Sequence, residues 1–288
     1  LGVQSLNDTE LLAIGRIHTS EKAHHAMNLL DQSGINYSID LMCGLPCQTE
    51  KSFLESLSQL AEHHISHVSV YPLTIEEDTA LDVMISQGKI DEPSDDFEAD
   101  ALELAEEYLS RHGMHRYEIA SYAKLGRESL HNLSYWSAKS YLGLGSGAAS
   151  MLYAGMLSTV FEALEIELVE ALNPDAKRFR FSFASDINRY STMPALDTGS
   201  FEQMNVRECI AEDLMLACRK TSGISLKSIE KYKKLAPTMA HDIDLAFLEC
   251  IDLGLIDTYD QRLVPSKKAW LLGNELFGRL WDLHKSTK

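Results

Sequence analysis

The stretch that decides the fold is "SIDLMCGLPCQTEKSF", residues 38–53. Its apolar start continues the β-prone run Ile35–Leu41, and a Gly-Leu-Pro turn follows. Thr49 can then cap a helix that places Phe53 and Leu57 on one face. A strand that turns directly into an amphipathic helix is typical of a parallel α/β sheet. The stretch therefore predicts one strand–helix unit of such a sheet.

The flanking segments repeat this pattern. Residues 1–5 predict a short strand, residues 20–33 predict a helix, and His67–Leu73 alternates as a strand does. Strand, helix, strand, helix, strand at this spacing requires right-handed crossovers and a parallel sheet. A helix over 97–112 and a further strand over 116–120 continue the series. We therefore predict an α/β fold.

The pattern changes near residue 205, after which helices predominate. They are predicted over 207–219, 225–235 and 241–253, and a small hairpin over 255–264 follows them. Helices followed by a hairpin indicate a winged-helix-like domain. We expect three regions, with no function assigned to the middle one: 1–150, 151–204 and 205–288.

Composition excludes several classes of function. The chain has 288 residues and a net charge of −17, so its surface repels phosphate backbones and we expect no nucleic-acid binding. No apolar run approaches the roughly 20 residues needed to cross a bilayer, so we expect no transmembrane segment. Five scattered cysteines indicate free thiols and a cytoplasmic protein. Because the chain opens on a strand and without Met, we expect a fragment that begins inside a domain.

The pair Cys43 and Cys47 resembles the start of an iron–sulfur ligand set. Three thiolates are needed to hold a [4Fe–4S] cluster with one open iron, and the position for the third is Glu50. We therefore expect both cysteines to be structural. The histidines of "AHH" at 23–25 and "HHISH" at 63–67 lack a convincing further ligand, so we expect them to face solvent and predict no metal site.

Three polar residues are candidates for a ligand site in the first half. Asp40 is expected near the carboxyl end of a parallel strand, where a carboxylate can accept hydrogen bonds from a ribose diol. A cap or turn role is equally open. Gln4, at another strand end, and Arg16 suit a ligand that carries a carboxylate and hydroxyls. A surface salt bridge is the alternative for Arg16.

A second constellation lies at 131–136, in the string His131-Asn132-Leu133-Ser134-Tyr135-Trp136. A histidine beside tyrosine and tryptophan offers an axial nitrogen and flat aromatic surfaces for a porphyrin. The alternative is a histidine with satisfied hydrogen bonds in a rigid loop. The glycines of 143–147 do not form Gly-x-Gly-x-x-Gly, so they indicate close backbone packing rather than a nucleotide loop. No catalytic residue is assigned.

Five strings in the same order carry a family resemblance. They resemble radical S-adenosylmethionine proteins related to oxygen-independent coproporphyrinogen III oxidase, in particular the HemW-type heme-chaperone branch. The strings are "LGVQSLNDTELLAIGRIH" (1–18), "IDLMCGLPCQTEKSFLESL" (39–57), "HVSVYPLTIEEDT" (67–79), "YEIASYAKLGRESLHNLSYW" (117–136) and "YLGLGSGAAS" (141–150).

The resemblance implies the C-terminal half of a radical S-adenosylmethionine (β/α)6 partial barrel, followed by the small winged-helix-like domain. It implies S-adenosylmethionine contacts at Gln4, Arg16 and Asp40, and a backbone near the cofactor at Thr74. The cluster-binding Cys-x3-Cys-x2-Cys loop of relatives is expected upstream of Leu1. A [4Fe–4S] cluster is therefore expected only in the full-length protein, and we expect that this chain cannot cleave S-adenosylmethionine reductively.

The resemblance also assigns a role to the second constellation. His131, Asn132, Tyr135 and Trp136 match the heme-chaperone signature, which implies a protein that binds heme and passes it to an acceptor protein. A chaperone role is favoured over enzyme activity. Two alternatives stay open: coproporphyrinogen III oxidase activity, and an inactive truncated binding module. Ala149 stands where relatives commonly have histidine, so any role of that histidine is lost here.

Overall fold

The computed structural model describes residues 1–91, 93–164, 171–192 and 200–285. These residues form two compact units, Leu1–Ser129 and Leu130–Lys288. The three predicted regions stay a prediction, and parts of the middle one (165–170 and 193–199) lie outside the described residues. None of the described helices is long and apolar enough to cross a membrane.

The first unit alternates strands and helices. Its strands are β1 (Gly2–Gln4), β2 (Ile39–Cys43), β3 (His67–Pro72), β4 (His115–Arg116) and β5 (Ser121–Ala123). Its helices are α1 (Asp8–Ala13), α2 (Ser20–Ser33), α3 (Glu50–Leu60), α4 (Ala80–Ser86) and α5 (Asp95–Arg111).

The five strands form one sheet in the order β1-β2-β3-β5-β4. β1, β2 and β3 are parallel, as the strand–helix repeat predicts. The predicted strand over 116–120 is wrong. The chain instead reverses between β4 and β5, with the Tyr117 amide hydrogen-bonded to the Ser121 carbonyl, so β5 is antiparallel to β3.

Local sequence explains the helix that follows β2. Thr49 and Ser52 form a capping box at the start of α3, in which each side chain accepts a hydrogen bond from the other residue's backbone N–H. Phe53 and Leu57 lie on the buried face and pack into the core with the alternate residues of β2. The capping and the apolar stripe thus confirm the predicted strand–helix unit.

The predicted start of β2 is four residues too early. The strand begins at Ile39, because pairing with β1 starts where the Asp40 amide donates to the Leu1 carbonyl at 3.0 Å. Gly34 ends α2 with a φ of +67°, and Ile35 is exposed. Asp40 therefore lies near the amino end of β2 and not near its carboxyl end as predicted.

The second unit contains two antiparallel sheets and most of the helices. Its strands are β6 (Ala149–Tyr153), β7 (Arg178–Ser182), β8 (Glu202–Met204), β9 (Ile224–Ser225), β10 (Ile256–Tyr259) and β11 (Arg262–Pro265). Its helices are α6 (Leu130–Tyr135), α7 (Ala154–Ala163), α8 (Ile187–Thr192), α9 (Val206–Ala217), α10 (Leu226–Leu235), α11 (Ala240–Asp252), α12 (Lys267–Leu271) and α13 (Gly273–Trp281).

One of these sheets, in the order β6-β7-β8, packs Phe179 and Phe181 against α7. In the other, in the order β10-β11-β9, the hairpin β10-β11 follows α9, α10 and α11 as the wing of a winged helix does, and β9 lies between α9 and α10. The predicted winged-helix-like domain is therefore confirmed. Its third helix, α11, carries Asp242, Asp244 and Glu249 and no lysine or arginine.

Candidate functional site

A polar row crosses the sheet of the first unit. Backbone pairing aligns Gly2 with Asp40, Asp40 with Ser69, and Ser69 with Ser121 on four adjacent strands. Ser69 and Ser121 are buried and their hydroxyl oxygens lie 3.1 Å apart. Because paired residues point to the same face, Asp40 shares this face with both hydroxyls. We call Asp40, Ser69 and Ser121 the polar row.

Gln4 adds an amide beside the polar row. A Cβ atom on Gly2 would lie 2.9 Å from the Gln4 Nε2 atom, so the amide covers the glycine that pairs with Asp40. Gln4 has a φ of +68°, and the Ser5 amide donates across it to the Val3 carbonyl at 2.9 Å. This is a γ-turn of the strained kind, and strain of this sort is concentrated at functional sites. The structure thus brings Gln4 and Asp40 together.

Arg16 and Thr74 lie at more open positions. Arg16 is exposed on the loop after α1, and the His18 ring on that loop contacts the Val3 carbonyl of β1 at 3.1 Å. Thr74 is exposed two residues after β3. The loop is therefore tethered to the strand that ends at Gln4, and Thr74 lies beyond the carboxyl end of the strand that carries Ser69.

A buried carboxylate holds the end of β1 in place. Glu10 accepts hydrogen bonds through Oε2 from the Ser5 hydroxyl at 2.6 Å and from the Gln48 amide at 3.0 Å. Gln48 also donates to the Met42 carbonyl at 3.1 Å. Ser5 follows β1 and Gln48 follows β2, so Glu10 links the carboxyl ends of these two strands, next to Gln4.

The sequence predicts Asp40 but neither Ser69 nor Ser121, although a signal for Ser69 exists. In "HVSVYP" the buried Val68 and Val70 alternate with Ser69 and Tyr71, which places both polar residues on the face of Asp40. Burial and the charges of Asp40 and Glu118 raise the pKa of Tyr71, although a hydrogen bond from Ser69 opposes the shift. A face of hydroxyls, a carboxylate and an amide fits the ribose and amino-acid groups of S-adenosylmethionine.

The cysteines do not fit an iron–sulfur cluster. Cys43 is fully buried in the apolar core, and burial together with the charge of Glu98 raises the pKa of its thiol to about 12. A ligand must be a thiolate, so Cys43 is a poor one and its structural role is supported. Cys47 is exposed. Among the described residues, no group of three or more ligating side chains could hold a metal ion.

Three histidines of the first unit, His24, His63 and His67, are less exposed than expected. The His63 side chain is 4% exposed and its Nδ1 atom lies 2.9 Å from Asp31 Oδ2. Its Nε2 atom lies 3.0 Å from His24 Nδ1, and His24 Nε2 lies 2.9 Å from the Gln59 amide oxygen. The expectation that these three rings face solvent is therefore wrong, because Asp31 and Gln59 supply partners for His63 and His24, and His67 is buried.

The 131–136 segment of the second unit is a short helix and not the predicted loop. α6 places His131 and Tyr135 four residues apart, with ring centroids 4.7 Å apart in an edge-to-face arrangement. The Tyr135 ring makes a second edge contact, at 4.6 Å, with Tyr141. His131 is exposed and Tyr135 is half-buried. The segment therefore presents an accessible imidazole at one end of a row of three aromatic rings in edge-to-face contact.

Trp136 and Asn132 complete the segment. The Asn132 carbonyl accepts a hydrogen bond from the Trp136 amide at 3.0 Å, which continues the helical turn. The Arg219 guanidinium lies 5.1 Å from the Trp136 ring centroid and 4.4 Å from that of Phe277. This contact fixes the indole by cation–π attraction. An exposed imidazole beside held aromatic rings can ligate a heme iron and cover a porphyrin face.

Among the glycines after this segment, Gly143 is packed closely as predicted, whereas nothing lies within 4 Å of a Cβ atom placed on Gly145. A Cβ atom on Gly143 would overlap the Ala149 carbonyl oxygen. The Gly143 amide donates to the Ser150 hydroxyl at 3.0 Å. Ala149 begins β6 and is exposed, so its methyl group supplies neither a ligand nor a proton there.

Comparisons with known proteins agree on one family. The chain is 32% identical over 283 residues to the heme chaperone HemW of Bacillus subtilis, covering 96% of this chain and 67% of that protein. It is 28% identical over 279 residues to the heme chaperone HemW of Lactococcus lactis, with the same two coverages of 96% and 67%. The chain thus spans about two thirds of the length of these relatives. No family model matches.

A solved structure shares the fold. It is described as coproporphyrinogen III oxidase (HemN) from Escherichia coli, a radical SAM enzyme, and superposes with a TM-score of 0.71 at 18% identity. The superposition covers 97% of this chain and 62% of that one. The predicted fold class is therefore confirmed.

Proposed function

The chain belongs to the HemW family of radical S-adenosylmethionine proteins, and from this premise we propose that its second unit binds heme through the 131–136 segment and delivers it to an acceptor protein. The observation that supports the proposal most strongly is the exposed His131 ring, packed edge-on against Tyr135. The imidazole supplies an axial nitrogen, and the aromatic rings supply apolar surface for the macrocycle.

We propose further that the first unit contacts S-adenosylmethionine through Gln4 and Asp40. The amide above Gly2 and the half-buried carboxylate of Asp40 are adjacent, and Ser69 and Ser121 extend the polar surface. Arg16 and Thr74 border this surface on a loop and beyond a strand end. The chain offers no three cysteines at cluster spacing, so the proposal involves no cluster chemistry on these residues. A cytoplasmic location stays a prediction.

Heme titration tests the main proposal. The purified chain should shift the hemin Soret band and reach saturation with one heme per chain. His131→Ala should weaken binding by about tenfold or more, since a lost axial bond removes at least one strong interaction. His241→Ala removes another exposed histidine of the same unit and should leave the titration unchanged. An unchanged titration in His131→Ala would refute the assignment of the 131–136 segment.

Transfer tests the delivery step. The heme-loaded chain is mixed with apomyoglobin as a probe acceptor, and the appearance of holomyoglobin is followed by absorbance. We expect complete transfer from the wild type. If heme stays on the chain at equilibrium with excess apomyoglobin, the protein is a heme-retaining protein and not a carrier. A porphyrinogen decarboxylation assay on the same preparations separates both outcomes from oxidase activity.

A further inference from the structure

A polar pocket lies beside Trp136 in the second unit. It encloses about 270 Å³, and its wall joins the 131–136 segment to the winged helix. Its lining includes Trp136, Tyr153, Asp213, Lys220, Ser225 and Arg262. One side chain of the proposed heme segment therefore forms part of a pocket that neither the resemblance nor the comparisons assign to any ligand.

Two cations face this pocket. Lys220 donates to the Ser137 hydroxyl at 3.1 Å. Burial, together with the nearby positive charge of Arg262, lowers the pKa of the Lys220 ammonium. Two like charges held together at a half-buried surface favour the binding of an anion, which relieves their repulsion.

The acidic residue of the pocket does not neutralise these cations. Asp213 accepts a hydrogen bond from Arg178 at 2.6 Å and another from the Tyr232 hydroxyl at 3.0 Å. Arg178 is fully buried and is shared between Asp213 and Glu212, and Glu212 is also paired with Arg180. Asp213 therefore belongs to a network of two arginines and two carboxylates, and the two cations that line the pocket outnumber its one carboxylate, although the chain as a whole has a net charge of −17.

The arginine is fixed before any ligand binds. Arg262 pairs with Ser225 between β11 and β9, and its guanidinium donates to the Ser222 carbonyl at 2.6 Å and to the Gly223 carbonyl at 3.1 Å. A Cβ atom on Gly223 would overlap the Leu263 carbonyl oxygen, so the strands meet at van der Waals contact here. A cation held in this way loses little conformational entropy when it binds an anion.

The geometry points to this pocket as the binding site for a carboxylate group of a planar aromatic ligand that packs against Trp136. For the heme of the proposed function, on which this assignment rests, that group is a propionate. An ammonium, a guanidinium and the Ser225 hydroxyl match the donors that a carboxylate requires. A volume of about 270 Å³ accepts a carboxyl-bearing side chain or a small free acid, and the macrocycle remains outside.

Hemin and its dimethyl ester test the assignment, because the ester keeps the ring and iron but blocks both carboxylates. The wild-type chain should bind hemin about tenfold more tightly than the ester, as a charge-assisted hydrogen bond requires. Lys220→Gln should remove that preference, and Lys220→Arg should keep most of it. Lys227→Gln, an equal charge change on exposed α10, should keep it fully. Equal binding of hemin and ester by the wild type would overturn the assignment.

A second measurement does not depend on heme. The rate at which acetic anhydride modifies Lys220 is followed by peptide mass spectrometry, with Lys227 as internal standard and glutarate as the carboxylate probe. Glutarate should slow the modification of Lys220 alone. Protection without any hemin binding would refute the proposed heme function and support a carboxylate pocket. Absence of protection, together with equal binding of hemin and ester, would refute the pocket.

Discussion

The polar row and the 131–136 segment are built in different ways. Asp40, Ser69 and Ser121 are aligned by backbone pairing on neighbouring strands, so their spacing is fixed by the sheet. The 131–136 segment comprises the last five residues of α6 and the tryptophan that follows, and side-chain contacts from Tyr141 and Arg219 hold it. A change in one side chain should therefore act locally in the first unit and spread through packing partners in the second.

The largest expected effect is that of Gly223 in the second unit, compared with Gly44 in the first unit. Gly223→Ala should destabilise the second unit by about 3 kcal/mol or more, because the new methyl group overlaps the Leu263 backbone at a positive φ of +52°. Gly44→Ala in the first unit meets only the flexible Glu98 side chain, at 2.6 Å, and should cost about 1–2 kcal/mol. Hydrogen exchange resolved by unit measures both losses.

A matched control separates overlap from backbone strain. Gly254 has a φ of +69° and nothing within 4 Å of its Cβ position, so Gly254→Ala should cost about 1 kcal/mol. If Gly223→Ala lost no more stability than Gly254→Ala, the close contact between Gly223 and the Leu263 backbone would be refuted.

The next largest loss of stability is expected at Asp31, which joins three segments of the first unit. It should affect the first unit and leave the second unchanged. Burial opposes its ionisation, but hydrogen bonds from His63, Tyr37 and the His64 amide outweigh that effect and lower its pKa. Asp31→Asn should lose about 2 kcal/mol of stability at neutral pH.

The sign of the pH dependence follows from the lowered pKa. An acid whose pKa is depressed by folding stabilises the protein above its unfolded value, here 3.8, and that stability disappears as pH falls through the depressed value. The free energy of unfolding, measured by denaturation at several pH values, should therefore become equal for the wild type and Asp31→Asn below pH 3.8. Curves that remain parallel in acid would show that Asp31 contributes by shape and not by charge.

Arg219 tests how far a contact acts in the second unit. Arg219→Met removes the guanidinium that lies over both Trp136 and Phe277, and should cost about 1–2 kcal/mol. It should also weaken hemin binding several-fold, because Trp136 loses its support. Arg219→Lys should recover part of both losses. Unchanged hemin affinity in Arg219→Met would mean that the indole is held without this contact.

A substitution at Gln4 should give the smallest change in stability and, unlike the others, should stabilise the protein. Gln4→Gly should stabilise the first unit by about 1 kcal/mol, because glycine accepts the φ of +68° without strain. The same change removes the amide above Gly2 and should weaken S-adenosylmethionine binding, as measured by calorimetry. Gln4→Ala keeps the strain and loses the amide, so it should weaken binding without any gain in stability.

Much of this architecture follows from local sequence. The Thr49 cap of α3 and the helix–hairpin order of the winged helix are decided by neighbouring residues, and both were predicted. Asp40 was misplaced because the start of β2 depends on where Leu1 reaches it, which is a contact between segments far apart in the chain. The contact between Arg219 and Trp136 was not predicted for the same reason: 83 positions separate the two residues, and no local sequence pattern indicates their contact.

The most direct test of the account is whether the two regions bind two ligands independently. Hemin and S-adenosylmethionine are titrated separately against wild type, Asp40→Asn and His131→Ala, with folding checked by circular dichroism. The account predicts that His131→Ala weakens hemin binding alone and that Asp40→Asn weakens S-adenosylmethionine binding alone, each by about tenfold. If either folded variant weakened both ligands equally, or neither variant weakened its own ligand, the assignment of one ligand to each unit would be contradicted.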